Sequence, residues 1–227
     1  MTSTVHRQRL TLRALAALLS YPGAELRAAL PEIAQALDAE QALPRARLSE
    51  LGRFVRRLAR LDPYAAETRY GDTFDRGRST SLHLFEHVHG DSRERGPALV
   101  DLKRTYEQAG LSFTGAELPD YLPAVLEFAS TQPDALARAF LGEMAHILKA
   151  IFSALVARRS PYATLVAAVL ELAGSRVERV AIADDAPLDE AWEEPPAFDG
   201  CSTHGQSSDA ARPIAIVRRR ANAGAPA

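Results

Sequence analysis

The chain has 227 residues, 47% of them apolar, and 27 basic against 29 acidic side chains leave a formal net charge of −2. That is enough apolar material for one well-buried core, and no overall field draws the chain towards nucleic acid or an anionic membrane surface. A single cysteine, Cys201, excludes a disulfide framework and a thiolate-only metal site within the chain, and it fits a reducing compartment.

Residues 1–23 join an Arg-rich start to an apolar stretch, but Arg13 interrupts that stretch and no small-residue cleavage site follows. A secretory signal is therefore not expected. No apolar run approaches the ~20 residues of a membrane span. The expectation is a cytoplasmic protein with no stable membrane association and no nucleic-acid partner.

Apolar spacing predicts a helix over residues 9–20, carried by Leu10, Leu12, Leu15, Leu18 and Leu19 and stopped by Tyr21-Pro22-Gly23. A second covers 25–40, with Pro31 expected to break or kink it. A third covers 45–61. At about 100° per residue its Leu51, Phe54, Val55, Leu58 and Leu61 share one side and Arg53, Arg56, Arg57 and Arg60 the other. That Arg stripe reads either as a solvated face or as a docking surface for an acidic partner.

Asp62-Pro63 is an N-cap with proline at the first helical position, and it opens a helix to Phe74. A break at 75–78 precedes a short helix over 79–89, ended by Gly90. Another helix is predicted over 92–108, closed by Gly110, then a loop over 111–118 and a helix over 119–131 with Pro123 in its first turns. The longest segment, 134–159, has an apolar arc of roughly half the circumference, so it is expected to be one helix through the middle of the core. Ser160-Pro161 restarts a last helix to Ala173. No β-branched alternating run longer than about four residues precedes position 176, so the fold class is all-α, a single helical bundle.

After Gly174 the composition changes. Residues 184–199 carry seven acidic side chains and no basic one, followed by Pro195-Pro196, a Gly/Ser stretch and Arg218-Arg219-Arg220. The domain division is 1–174 as the helical body and 175–227 as an extended acidic, then polar, tail. Trp192 and Phe198 are its natural anchors, and residues 203–227 are expected to be dispensable for folding.

The sharpest local pattern is His83-x-x-Glu86-His87. On a helix the two imidazoles would lie one turn apart, as two zinc ligands need, with Glu86 placed as a general base and His89 nearby. A third ligand would have to come from Glu143 or Glu171. The stronger reading of the same residues is a polar helix face that hydrogen-bonds its neighbours, since a helical domain offers no strand to hold a peptide substrate. No glycine-rich phosphate loop, nucleophile elbow or basic-aromatic surface is present. Such a chain is a binder more often than an enzyme.

One segment, YGDTFDRGRSTSLHLFEHVHGDSRERG at 70–96, resembles the signature of the NarJ-type nitrate reductase assembly chaperones, the so-called delta subunits. ELPDYLPAVLEF at 117–128 is similar to that family's second signature, and LLSYP at 18–22 and WEEP at 192–195 also fit. The resemblance implies an all-helical fold of the redox-enzyme maturation chaperone type and no catalytic role. It further implies a partner, the catalytic (alpha) subunit of a molybdenum nitrate reductase, held by its N-terminal segment until the molybdenum cofactor is inserted. It implies no cofactor or metal kept by the chaperone itself. The candidate peptide-binding residues are Tyr70, Phe74, Asp75, Arg78, Leu82, Phe85, Glu86, His87, Asp120 and Tyr121. Leu82, Phe85 and Tyr121 are read as apolar groove anchors and Asp75, Glu86 and Asp120 as answers to basic leader residues. A small zinc hydrolase using His83, Glu86 and His87, or a general helical adaptor, are the alternatives.

Overall fold

The computed structural model describes residues 7–90, 92–113 and 117–181. These form α1 (Arg9–Leu19), α2 (Ala24–Glu40), α3 (Arg45–Arg60), α4 (Pro63–Phe74), α5 (Leu84–His89), α6 (Arg95–Gln108), α7 (Leu122–Thr131), α8 (Asp134–Glu143), α9 (Ala145–Ala157) and α10 (Ala163–Leu172). No strand is formed among the described residues, only one isolated antiparallel bridge between His83 and Tyr121. The chain is all-α, as its periodicity predicts. The expectations for Trp192, Phe198 and the segment 203–227 lie outside the described residues.

The punctuation read from the sequence acts as its chemistry requires. Asp62 accepts a hydrogen bond from the Ala65 amide at 3.1 Å and caps α4, with Pro63 at its first position. Gly110, at φ +81°, takes the left-handed conformation just after α6. Pro31 sits inside α2 without breaking it. Leu26 and Leu30 on one side of it, and Ile33 and Leu37 on the other, are all buried, so both halves are anchored in the core.

The core is centred on α1, α7 and α10. Leu12, Leu15, Leu18 and Leu19 of α1 are fully buried, as are Leu122, Val125 and Leu126 of α7 and the run from Leu165 to Leu170 of α10. At ~1.5–3 kcal/mol for each large apolar side chain taken from water, this layer is the main stabilising contribution. The Arg9–Leu19 segment is thus a core element of the bundle.

Two expectations are corrected. Residues 134–159 are not one helix: the chain bends by 67° between α8 and α9 at Met144. The wide apolar arc belonged to two helices with separate buried faces, Ala137 and Leu141 on α8 and Ile147, Leu148, Ile151 and Leu155 on α9, while Leu136 is exposed. Among the described residues no single helix is long and apolar enough to cross a membrane; this bent pair passes by length and composition only, and its apolar faces are in the core.

The second correction concerns 79–89. A 3₁₀ turn at Arg78–Thr80 is followed by non-helical backbone through His83, and only Leu84–His89 is α-helix. Beyond α10, residues 175–181 run as a strap against α9. The Val180 amide donates to Ser153 Oγ at 2.9 Å, and Lys149 pairs with Glu178 at 2.5 Å.

Candidate functional site

The two signature segments, separated by twenty residues in sequence, meet in space. The Leu122 amide donates to the Leu82 carbonyl at 2.8 Å and the Leu84 amide to the Asp120 carbonyl at 3.1 Å. Alternation explains the extended conformation: Leu82 and Leu84 are both buried, while His83 between them is half-exposed. A helix through 81–83 would have left this pairing unmade.

Asp120 organises the junction. It is fully buried, and its Oδ2 accepts the Phe85 amide at 2.9 Å. It therefore satisfies one of the orphan donors at the start of α5. Its Oδ1 lies 3.6 Å from His83 Nδ1. The Asp120 carboxylate raises the His83 pKa above its ordinary value; burial opposes this, and Glu86 and Glu117 add to it. The His83 ring lies against Tyr121, with centroids 5.3 Å apart.

Behind this junction runs a chain of phenols. The Tyr70 hydroxyl donates to the Leu19 carbonyl at 2.9 Å and lies 3.0 Å from the Tyr121 hydroxyl, which is placed to donate to it. Burial pushes the Tyr70 phenol well above its usual range. Tyr21, from the LLSYP segment, packs its exposed ring edge-on against Tyr70 at 5.6 Å. Glu67 and Asp75 add negative potential at Tyr21, and Glu117 and Asp75 do so at Tyr121.

In front lies a polar cleft of about 360 Å³, lined by Phe74, Asp75, Gly77, Arg78, Ser81, His83, Glu86 and Arg95. Glu86 is held from two sides, by the Ser81 hydroxyl at Oε2 and by Arg95 at Oε1, 3.1 Å away. Gly90, at φ +52° and ψ −124°, ends α5 in a conformation that only glycine takes without strain, and a β-carbon there would meet the Arg78 guanidinium at 3.2 Å.

Four of the candidate residues, Phe74, Asp75, Arg78 and Glu86, line this cleft. Tyr70, Asp120 and Tyr121 do not line it but support residues that do: Tyr70 packs on Phe74, and Asp120 and Tyr121 on His83. Leu82 is 3% exposed and points into the core. Phe85 is half-buried against the core and edge-on to His89. His87 Nε2 lies 2.9 Å from the Ser81 carbonyl, to which it donates when that nitrogen carries the proton. Leu82 is thus corrected from an exposed groove anchor to a core residue, and the opening beside these residues is a polar cleft. Ser81, His83 and Arg95 were missed as lining residues, although all three stand within the 70–96 signature.

The zinc geometry is not formed. His83 is extended, with φ −84° and ψ 101°, so it is not one helical turn from His87. Glu86 is paired with Arg95, and Glu171 with Arg47 of α3 at 3.0 Å. Among the described residues no three His, Cys, Asp or Glu side chains converge as a metal requires.

Comparison with known proteins bears on the same segments. Residues 22–168 match the family described as nitrate reductase delta subunit. A nitrate reductase molybdenum cofactor assembly chaperone of Escherichia coli, NarJ, is 43% identical over 187 residues, which cover 78% of this chain and 79% of that protein. A probable chaperone of the same description from Bacillus subtilis is 39% identical over 168 residues, 74% of this chain and 90% of the relative. The probable E. coli chaperone NarW is 45% identical over 133 residues, 54% of this chain and 58% of its own length.

Proposed function

The chain belongs to the nitrate reductase delta subunit family, whose members are assembly chaperones rather than enzymes, and from that premise we propose what it holds and where. It binds the N-terminal segment of the apo catalytic subunit of a molybdenum nitrate reductase, in the cytoplasm. It keeps that subunit open for insertion of the molybdenum cofactor before membrane docking.

One observation carries this reading: the 70–96 signature segment lines a polar cleft, and the second signature segment locks it in that shape through two backbone hydrogen bonds and a fully buried aspartate. A fold that uses a charged side chain and two inter-segment hydrogen bonds to shape a surface opening is arranged for recognition. The cleft offers both kinds of contact that a basic, amphipathic leader needs. Asp75 is exposed and Glu86 is half-buried beside it, while Glu67 and Glu117 add negative potential around the Tyr21–Tyr70–Tyr121 cluster. Arg78 and Arg95 share the cleft and set which acidic or carbonyl groups of the leader fit beside its basic ones.

The mechanism is sequestration. Burying a few hundred Å² of apolar leader surface at ~25 cal/mol per Å² gives several kcal/mol gross, and ordering and association costs remove much of it. A dissociation constant between roughly nanomolar and micromolar follows: tight enough to outlast cofactor insertion, weak enough to release afterwards. Co-expression of tagged chain with the catalytic subunit tests the assignment. Co-purification that is lost when the subunit's N-terminal segment is deleted is the expected result. Co-purification unchanged by that deletion would contradict the proposed site of attachment.

A further inference from the structure

The Arg face of α3 is not used by the signature cleft, and it borders a second opening. The C-terminal half of α3, α4 and the turn between α9 and α10 enclose a cleft of about 280 Å³. Its floor is apolar and buried: Phe54, Leu58, Ala66 and Tyr162 are each at most 6% exposed. Burial raises the Tyr162 phenol to about 12, so the floor stays uncharged. Arg57, Arg69 and Arg159 stand around it, all exposed, and none forms an ion pair with a described residue. The one carboxylate on this rim, Asp72, is paired with Arg76 at 3.2 Å.

Arg159 is placed there at a cost. It sits at φ +53° directly after α9, where the chain reverses and the Ser160 amide returns to the Leu155 carbonyl at 2.8 Å. Glycine takes that left-handed position freely, whereas any other L-residue loses roughly 1–2 kcal/mol. The guanidinium gained at the rim is what the position offers in exchange.

We propose that this cleft docks an acidic protein segment that inserts one apolar side chain, a second contact independent of whatever fills the signature cleft. The charge argues for this occupant. The whole chain is slightly acidic, so three unpaired arginines around one apolar cavity, continued along α3 by Arg53, Arg56 and Arg60, are a local concentration and not a general field. An apolar floor under a cationic rim suits a peptide anchor with carboxylates beside it. A nucleic-acid backbone would want a longer basic track with exposed aromatic faces. The two clefts lie on opposite sides of the end of α4: Arg69 and Thr73 face this one, Phe74 and Asp75 the other.

The test is fluorescence anisotropy on the full chain at low salt, with three labelled probes: Glu-Asp-Glu-Trp-Glu-Asp-Glu, the same peptide with Ser for Trp, and the same with Lys for every acid. The Trp peptide should saturate, and the other two should bind about tenfold more weakly or worse. Arg159→Gly relieves the left-handed strain, so it should keep or raise the melting temperature while weakening the Trp peptide about three- to tenfold. Arg57→Glu with Arg69→Glu should abolish binding. Affinity for the reductase leader should not change in either variant, which separates this site from the first. Three outcomes would overturn the proposal: no saturation below about 1 mM, equal binding of the Trp and Ser peptides, or displacement by single-stranded oligonucleotide at lower concentration than by unlabelled Trp peptide.

Discussion

The Asp120 carboxylate is removed from water entirely, yet it keeps a hydrogen bond to the Phe85 amide and faces His83. Asp120→Ala leaves the buried Phe85 amide without its acceptor and removes the carboxylate that faces His83 at 3.6 Å, so a loss of about 1–3 kcal/mol is expected, read as a lower denaturant midpoint. Asp120→Asn, which preserves shape and an acceptor, should cost less. His83 gives a pH signature. Its folded-state pKa is raised above the ordinary 6.5. The stability it adds is therefore fully present below about pH 6.5 and is lost as pH rises through the folded value. Unfolding midpoints of wild type should fall across that window, and His83→Gln should flatten the fall. An unchanged slope in the variant would remove His83 as its source. Glycine positions divide in the same way. Gly90→Ala meets both a forbidden backbone region and the Arg78 guanidinium, and should cost about 1–3 kcal/mol. Gly96→Ala in the first turn of α6, with nothing within 4 Å of a new β-carbon, should be neutral or slightly stabilising. Thermal melts of the two variants compare them directly.

At the scale of elements, most boundaries were legible because they rest on local chemistry. Asp62-Pro63, Tyr21-Pro22-Gly23 and Gly110 act through caps and φ restrictions that need no tertiary partner. What escaped was tertiary in origin. The bend at Met144 has no proline, and the apolar positions of α8 and α9 combine into one broad arc when read on a single wheel. The extended stretch before α5 exists because residues 120–122 pair with it. A two-residue alternation, Leu82 and Leu84, is too short to outweigh a helical reading. The site divides on the same line. Tyr70, Asp75, Glu86, Asp120 and Tyr121 were recognisable through their signature blocks, whereas their division into cleft and support depends on a junction that no local rule encodes. For Leu82 and Asp120, type and position were legible but burial was not.

At the scale of the whole molecule, α4 is tied to the end of α1 by the Tyr70–Leu19 hydrogen bond and the start of α5 to Asp120, just before α7, and residues of α4, α5 and α6 line the cleft. Binding there should carry two physical marks. Asp75 and Glu86 keep access to solvent, so pairing with leader arginines or lysines should weaken as salt rises. Leader apolar surface buried on binding should give a negative heat-capacity change. Calorimetry of the full chain with a synthetic peptide of the catalytic subunit's N-terminal segment measures both at once. We predict saturable binding with a dissociation constant of roughly nanomolar to micromolar, weakened several-fold by Glu86→Gln in protein that unfolds at the wild-type midpoint. No measurable heat at peptide concentrations well above micromolar would contradict the account.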